Sequence, residues 1–326
     1  FRITGLFQRN LYEKMNKSQR EQDERERLSY RLLPGEARHY TERLGSKLSW
    51  SLYPAKENAL GTVVFLHGIA SNGSRWEEFS EKSFLHAHWN ILRMDLRGHG
   101  GSVSDVVGTL EIWSEDIRAI LKDAGLTKIV LIGHSLGAQV ALKFTKLFPE
   151  YLRGLVLLDP LLSQAFTQKA LNLQKKKPLI VAVDYTARFL NALGFHRKIY
   201  PQNLREKDKE ARVMIAKGGK DFEDFIKRYS SPKFDIKLIH MAQYARDVIE
   251  TGRRTPDSEI FTMPTLIIAA QTGTYTDATI VKRWVDAMPC GEIRTVHCVH
   301  WPLTECPNEV EGTIRTWFDE TGLQPA

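Results

Sequence analysis

The sequence predicts an α/β fold built on a mostly parallel sheet with helices on both faces. Short apolar runs alternate with amphipathic helical stretches along most of the chain. The alternation stops between residues 161 and 262 and then resumes. A Gly-His-Ser-Leu-Gly stretch sits where one apolar run turns directly into a helix. Strand, helix and strand repeated in this way produce crossover connections and hence parallel pairing.

Residues 1–37 are dense in charge (SQREQDERER) with scattered aromatics and Leu, and read as a helical arm outside the core. HYTERL, KLSWSLYP and GTVVFLHG follow as three strands. The first two alternate in polarity and the third is continuously apolar, as expected on moving from a sheet edge to its centre. Helix-like WEEFSEKSFLHAHW precedes the strand NILRMDL, and helix-like TLEIWSEDIRAILKDAG precedes the strand KIVLIG. SLGAQVALKFTKLF then places Leu136, Val140, Phe144 and Leu147 on one helical face. RGLVLLDP is the sixth strand. Residues 161–262 carry only helical patterns (VDYTARFLNALGF, KDFEDFIKRY, IKLIHMAQYARDVIE), with loops at Pro201 and Gly218-Gly219. Such an insertion between two sheet strands predicts a helical cap over the strand ends, leaving 38–160 and 263–326 as the core. The strand TLIIAA, helix DATIVKRWVDAM, strand EIRTVHCV and helix PNEVEGTIRTWFDE complete the chain.

With 326 residues, 42% hydrophobic and 26% charged, the chain can bury a sizeable core. Its net charge of +7 is unevenly placed. The cap holds 20 Lys and Arg against 12 Asp and Glu, whereas the rest holds 26 against 27. This excess reads either as a solvated helical surface or as a face towards something anionic, a phospholipid surface or an acidic substrate. The cap lacks the ordered aromatic spacing of a single-strand binder, so no nucleic-acid partner is expected. Cys290, Cys298 and Cys306 make no disulfide framework and have no metal-ligand spacing. They read as small apolar residues of a reducing, cytoplasmic compartment, with one Cys290–Cys306 bridge as the alternative. There is no run of 18 apolar residues. The chain opens at Phe1 without Met, which leaves room for a leader or anchor ahead of it.

The chemistry starts at Gly133-His134-Ser135-Leu136-Gly137. G-x-S-x-G alone is a weak signal, and its context gives it weight. A buried strand that becomes a helix within one residue forces Ser135 into a tight turn and lifts its hydroxyl above the sheet at a helix N-terminus. Glycines at 133 and 137 allow helix and strand to approach closely. The strand ending His67-Gly68 opens into a small-residue loop, from which Ile69 can direct its backbone N–H to the same place. Leu136, the residue after the serine, offers a second N–H, and two such donors make an oxyanion hole. In VHCVHWPLTECPNEV, His300 follows the last strand and precedes a helix, which puts it at the same rim as Ser135. Gly98 and Gly100 in RGHGGS match neither a dinucleotide nor a phosphate-loop fingerprint. No zinc signature occurs, so neither cofactor nor metal is implied.

On HG at 67–68, DLRGHGGS at 95–102, GHSLG at 133–137 and HWPLTECPNEV at 300–310, the chain resembles the α/β-hydrolase fold family over roughly residues 38–322. The resemblance implies an eight-stranded sheet, a cap between strands six and seven, and hydrolysis. Ser135 would be the nucleophile, His300 the base, and the Ile69 and Leu136 amides the oxyanion hole. The triad acid is the departure. The commonest family pattern places it in a G-x-x-D turn after strand seven, where this chain has Gly273 in TLIIAAQTGTYTD. Asp159, ending strand six, occupies a position from which some members, the haloalkane dehalogenases among them, supply their acid. Asp277 is the alternative, and its place before a helix also suits an N-cap. Asp95, at the end of strand four, reads as structural. The expected activity is that of a serine esterase or lipase with an apolar acyl or aromatic pocket, working through an acyl-enzyme. C–C, lactone or thioester hydrolysis, or a catalytically idle relative that binds a ligand or partner, are the other readings.

Overall fold

The computed structural model describes residues 31–323 other than 196, 198, 200, 273 and 274. The helical arm expected over 1–37 thus falls mostly outside the described residues, as does Gly273. The sheet has eight strands: β1 Ala37–Arg43, β2 Ser46–Tyr53, β3 Gly61–Leu66, β4 Trp89–Met94, β5 Ile129–His134, β6 Leu152–Leu158, β7 Thr265–Ala270 and β8 Gly291–Val296. Their spatial order is β1-β2-β4-β3-β5-β6-β7-β8. β2 is antiparallel to both of its neighbours, and the pairings from β4 through β8 are parallel.

Two-residue periodicity divides the central strands between two apolar layers. Val64, Leu66, Leu131, Leu155, Leu157 and Ile267 face one side. There they meet helices α2 (Leu110–Asp123) and α3 (Leu136–Leu147). Val63, Phe65, Val130, Ile132, Val156, Leu158 and Ile268 face the other, against Trp76, Phe79, Trp317 and Phe318. Phe79 belongs to α1 (Glu77–Lys82). WEEFSEKSFLHAHW is therefore not one helix: α1 is flanked by single 3-10 turns at Gly73–Trp76 and Phe84–His86, because Ser83 is extended and caps the second of them. On α3, Leu136, Val140 and Phe144 are buried as the spacing predicts, while Leu147, at the last turn, is exposed.

Between β6 and β7 run α4 (Gln168–Gln174), α5 (Lys177–Ala192), α6 (Leu204–Lys217), α7 (Gly219–Tyr229) and α8 (Met241–Thr251). Two polar seams hold these helices on the sheet. Arg205 and Arg212 of α6 pair with Glu77, Glu78 and Glu81 of α1. On α8, Asp247 binds His99 at 2.9 Å, and Gln243 and Glu250 accept the Gly108 and Leu110 N–H groups at 2.8 and 3.0 Å. α9 (Ala278–Asp286) and α10 (Pro307–Glu320) complete the layers. The three cysteines are free thiols, Cys298 buried and Cys290 exposed.

The loop after β4 is held by a fully buried ion pair, in which Arg97 Nε and Nη2 each donate to Asp116 at 2.8 Å. Removing one partner strands a charge in the interior. Asp116→Ala should therefore destabilise the protein by about 3–5 kcal/mol in urea unfolding. Asp257→Ala, which removes an exposed partner of Arg254, should change stability by less than about 1 kcal/mol.

Candidate active site

β5 and α3 meet with no connecting loop. A Cβ at Gly137 would lie 2.5 Å from the Leu66 carbonyl oxygen, and one at Gly133 would lie 2.4 Å from that of Gly137. Only glycine fits where helix and strand touch, and the chain turns within one residue. Ser135 therefore takes φ +53°, a left-handed conformation that costs a non-glycine residue about 1–3 kcal/mol. Its N–H still donates to the Leu158 carbonyl of β6 at 3.1 Å, which ties the strained residue to the sheet. Leu136 is the first residue of α3, so its N–H has no acceptor within the helix.

The structure brings His300 to this turn. Its Nε2 lies 3.2 Å from Ser135 Oγ, and its Nδ1 is hydrogen-bonded to Asp159 Oδ2. All three residues are buried. Asp159 also has a left-handed backbone, φ +42°, which turns the chain off the end of β6 into Pro160. Its N–H donates to the Ile268 carbonyl at 2.7 Å, and its Oδ1 accepts the Ala270 N–H at 3.1 Å. With one carboxylate oxygen fixed by β7, the other meets the imidazole. The structure does not bring Asp277 to His300. Asp277 is exposed and caps α9, accepting the Thr279 and Ile280 N–H groups at 2.9 and 3.1 Å. Asp95 is fully buried and accepts the Gly73 and Gly101 N–H groups at 2.7 and 2.8 Å, binding two loops together.

Ile69 lines the same cavity as Ser135 and His300. Its orientation comes from His67, whose Nε2 accepts the Leu96 N–H at 3.0 Å. His67 Nδ1 then carries the proton and donates to the Gly68 carbonyl at 2.9 Å. In a trans peptide the carbonyl and the following N–H point in opposite directions. Tying the Gly68 carbonyl back to His67 thus turns the Ile69 N–H the other way.

Three residues around the site were not singled out by the sequence reading. Glu305 accepts the backbone N–H groups of Val299, His300 and Trp301 at 2.9–3.2 Å and so shapes the loop that carries the imidazole. An acidic residue just ahead of the Cys306-Pro307 helix start was the available signal. His134 Nε2 lies 2.9 Å from the His300 carbonyl and donates to it. The Tyr275 ring stands edge-on to His300, 5.3 Å between centroids.

The cavity measures about 290 Å³. Ile69, Leu161, Phe166, Phe234, Leu238 and Val248 give it mostly apolar walls. Arg75, Tyr229, Asp235 and Tyr244 are the principal polar side chains along it. Burial pushes the Asp235 carboxyl up to about 7, against the hydrogen bond from Tyr244 that favours its charged form. Arg75 pairs with the buried Asp208 of α6 and donates to Thr304 Oγ1 at 2.7 Å, which joins the helices over the site to the His300 loop.

The chain matches the model of a known family, the alpha/beta hydrolase fold, over residues 61–307. The chain belongs to the α/β-hydrolase fold family. Among curated relatives of this hydrolase-fold chain is a Haemophilus influenzae protein named as an esterase/lipase. It is 34% identical over 119 residues, 35% of this chain and 39% of that protein's own length. The sn-1-specific diacylglycerol lipase ABHD11 of Mus musculus is 23% identical over 279 residues, 83% of this chain and 85% of the relative. A hydrolase from Pseudomonas aeruginosa superposes with TM-score 0.62 at 19% identity, covering 86% of this chain and 98% of that one. A thermophilic esterase from Thermogutta terrifontis superposes with TM-score 0.59 at 20% identity, covering 87% and 99%.

His134 has a titration consequence within this hydrolase fold. Burial, with the neighbouring His300 adding to it, pushes its imidazole down to about 3. The unfolded chain takes up this proton near pH 6.5, and the folded protein refuses it until far lower pH. Stability from this group is therefore present at neutral pH and lost as the pH falls below 6.5. His134→Gln keeps a donor for the His300 carbonyl and cannot titrate. It should flatten the dependence of urea stability on pH between about 6 and 4 by roughly 1.4 kcal/mol per pH unit. An unchanged slope would show that the imidazole is protonated in the folded state.

Proposed function

We propose that this protein is a serine hydrolase that cleaves carboxylic esters with apolar, lipid-like acyl groups through an acyl-enzyme. The observation that carries the reading is the hydrogen-bonded series Ser135–His300–Asp159 opening onto a largely apolar cavity. Ser135 Oγ attacks the acyl carbon while His300 Nε2 takes its proton. Asp159 holds Nδ1–H and steadies the imidazolium. The Ile69 and Leu136 N–H groups receive the oxyanion, each contributing about 3 kcal/mol to lowering the barrier. The leaving alcohol takes the proton from His300. Water, activated by the same imidazole, then releases the acid and restores the serine. The esterase/lipase and diacylglycerol lipase names of the relatives support an ester substrate.

The mechanism makes the acid a matter of turnover. On a p-nitrophenyl ester series, Asp159→Asn should lower kcat by about 10⁴ while leaving the fold intact, since it leaves His300 in the wrong tautomer. Asp277→Asn should keep most of the activity, because it alters only a helix cap. Loss of turnover in Asp277→Asn alone would assign the acid to the wrong residue. A preference for lactones or acyl-thioesters over every simple ester would replace the substrate class while keeping the machinery.

A further inference from the structure

α5 packs on α8 through one face only. On that face Asp184 is fully buried and paired with Arg246 of α8 and with Arg188. At 100° per residue, Leu179, Val183, Leu190 and Leu193 fall on the opposite stripe, and Tyr185 and Phe189 border it. These side chains face solvent. Leu179 is 66% exposed, Phe189 64%, Leu193 58%, and Phe195 in the following turn 69%. A soluble protein seldom leaves so large an apolar stripe uncovered unless something binds it.

The charge around the stripe says what that is. From residue 168 to 197 the sequence holds Lys169, Lys175, Lys176, Lys177 and Arg197 besides Arg188, which is paired with the sole acid, the buried Asp184. Lys175, Lys176 and Lys177 are exposed at the N-terminal end of α5. An apolar face edged by cations suits the boundary of an anionic bilayer, where the rings and Leu side chains enter the acyl region and the lysines meet the headgroups. A protein partner would have to supply a matching apolar groove and acidic rim. None of the described helices is long and apolar enough to cross a membrane.

We propose that the exposed face of α5, with Phe195 and the lysines before it, is a docking surface for an anionic lipid bilayer. Lys176 just ahead of α5, Ile180 of α5, and Leu173 and Gln174 of α4 also line the cavity that contains Ser135. The docked helix is thus a wall of the site, and an acyl chain leaving the bilayer enters beside it. Delivery of substrate this way rests on the ester-hydrolase reading; the docking does not.

The test is co-sedimentation of the purified protein with phosphatidylcholine vesicles, and with the same vesicles doped with phosphatidylserine. Binding to the doped vesicles should exceed binding to the neutral ones by roughly tenfold and weaken with salt. Leu179→Ser/Phe189→Ser/Leu193→Ser should lower it at least about tenfold. Lys175→Gln/Lys177→Gln should remove the preference for phosphatidylserine. Unchanged thermal melting would show that both variants fold. Turnover of a short soluble ester, measured separately, should be the same in wild type and variants, and its absence throughout would fault the hydrolase reading while leaving the docking result intact. Vesicle binding that ignores the apolar substitutions, or equal binding to both vesicle types, overturns the proposal. So does a dimer in ultracentrifugation that the same substitutions dissolve, which would make the face an interface between copies.

Discussion

The site depends on a steric fact: where α3 lies against β3 and β5 there is no room for a methyl group at Gly133 or Gly137. That closeness leaves one residue to turn a strand into a helix, and it puts Ser135 at φ +53°. Three consequences follow from the same backbone. The hydroxyl stands clear of the sheet, the Leu136 N–H starts a helix with no acceptor of its own, and His134 is directed under the His300 loop, where it donates to the His300 carbonyl.

The other parts reach that point from separate strand ends, each clamped by a polar group. His67 fixes the peptide that carries the Ile69 N–H, Glu305 gathers the amides of 299–301, and β7 holds one oxygen of Asp159. Each clamp commits a polar group to geometry, which is consistent with a site that must be formed before substrate arrives. The helices between β6 and β7 add the apolar walls. Arg75 and Asp208 join those helices to the His300 loop.

Much of this was legible in the sequence because periodicity and glycine spacing are local signals. The strand and helix alternation gave the sheet, and the Gly-His-Ser-Leu-Gly context marked the turn. Leu147 and the broken helix after Trp76 were misread for lack of tertiary information: a helix's last turn runs past its neighbour, and Ser83 ends α1 by its backbone. The choice between Asp159 and Asp277 as partner of His300 needed coordinates, because both carboxylates lie near strand ends in sequence and only one meets the imidazole in space. Glu305 had only its place ahead of the Cys306-Pro307 helix start as a signal, because the backbone amides it accepts carry no residue identity. The basic excess of 161–262 could be counted, but which face of α5 it borders depends on how α5 packs on α8.

The most direct test of the account is covalent. A fluorophosphonate is an electrophile whose phosphorus is attacked by an activated serine with loss of fluoride while the oxyanion hole receives the phosphoryl oxygen, and it should label the folded protein at one residue. Tandem mass spectrometry should find the adduct on Ser135, with labelling lost on unfolding. No labelling of the folded protein, or an adduct on any other serine, would contradict the claim that Ser135, His300 and the two amides form one reactive centre.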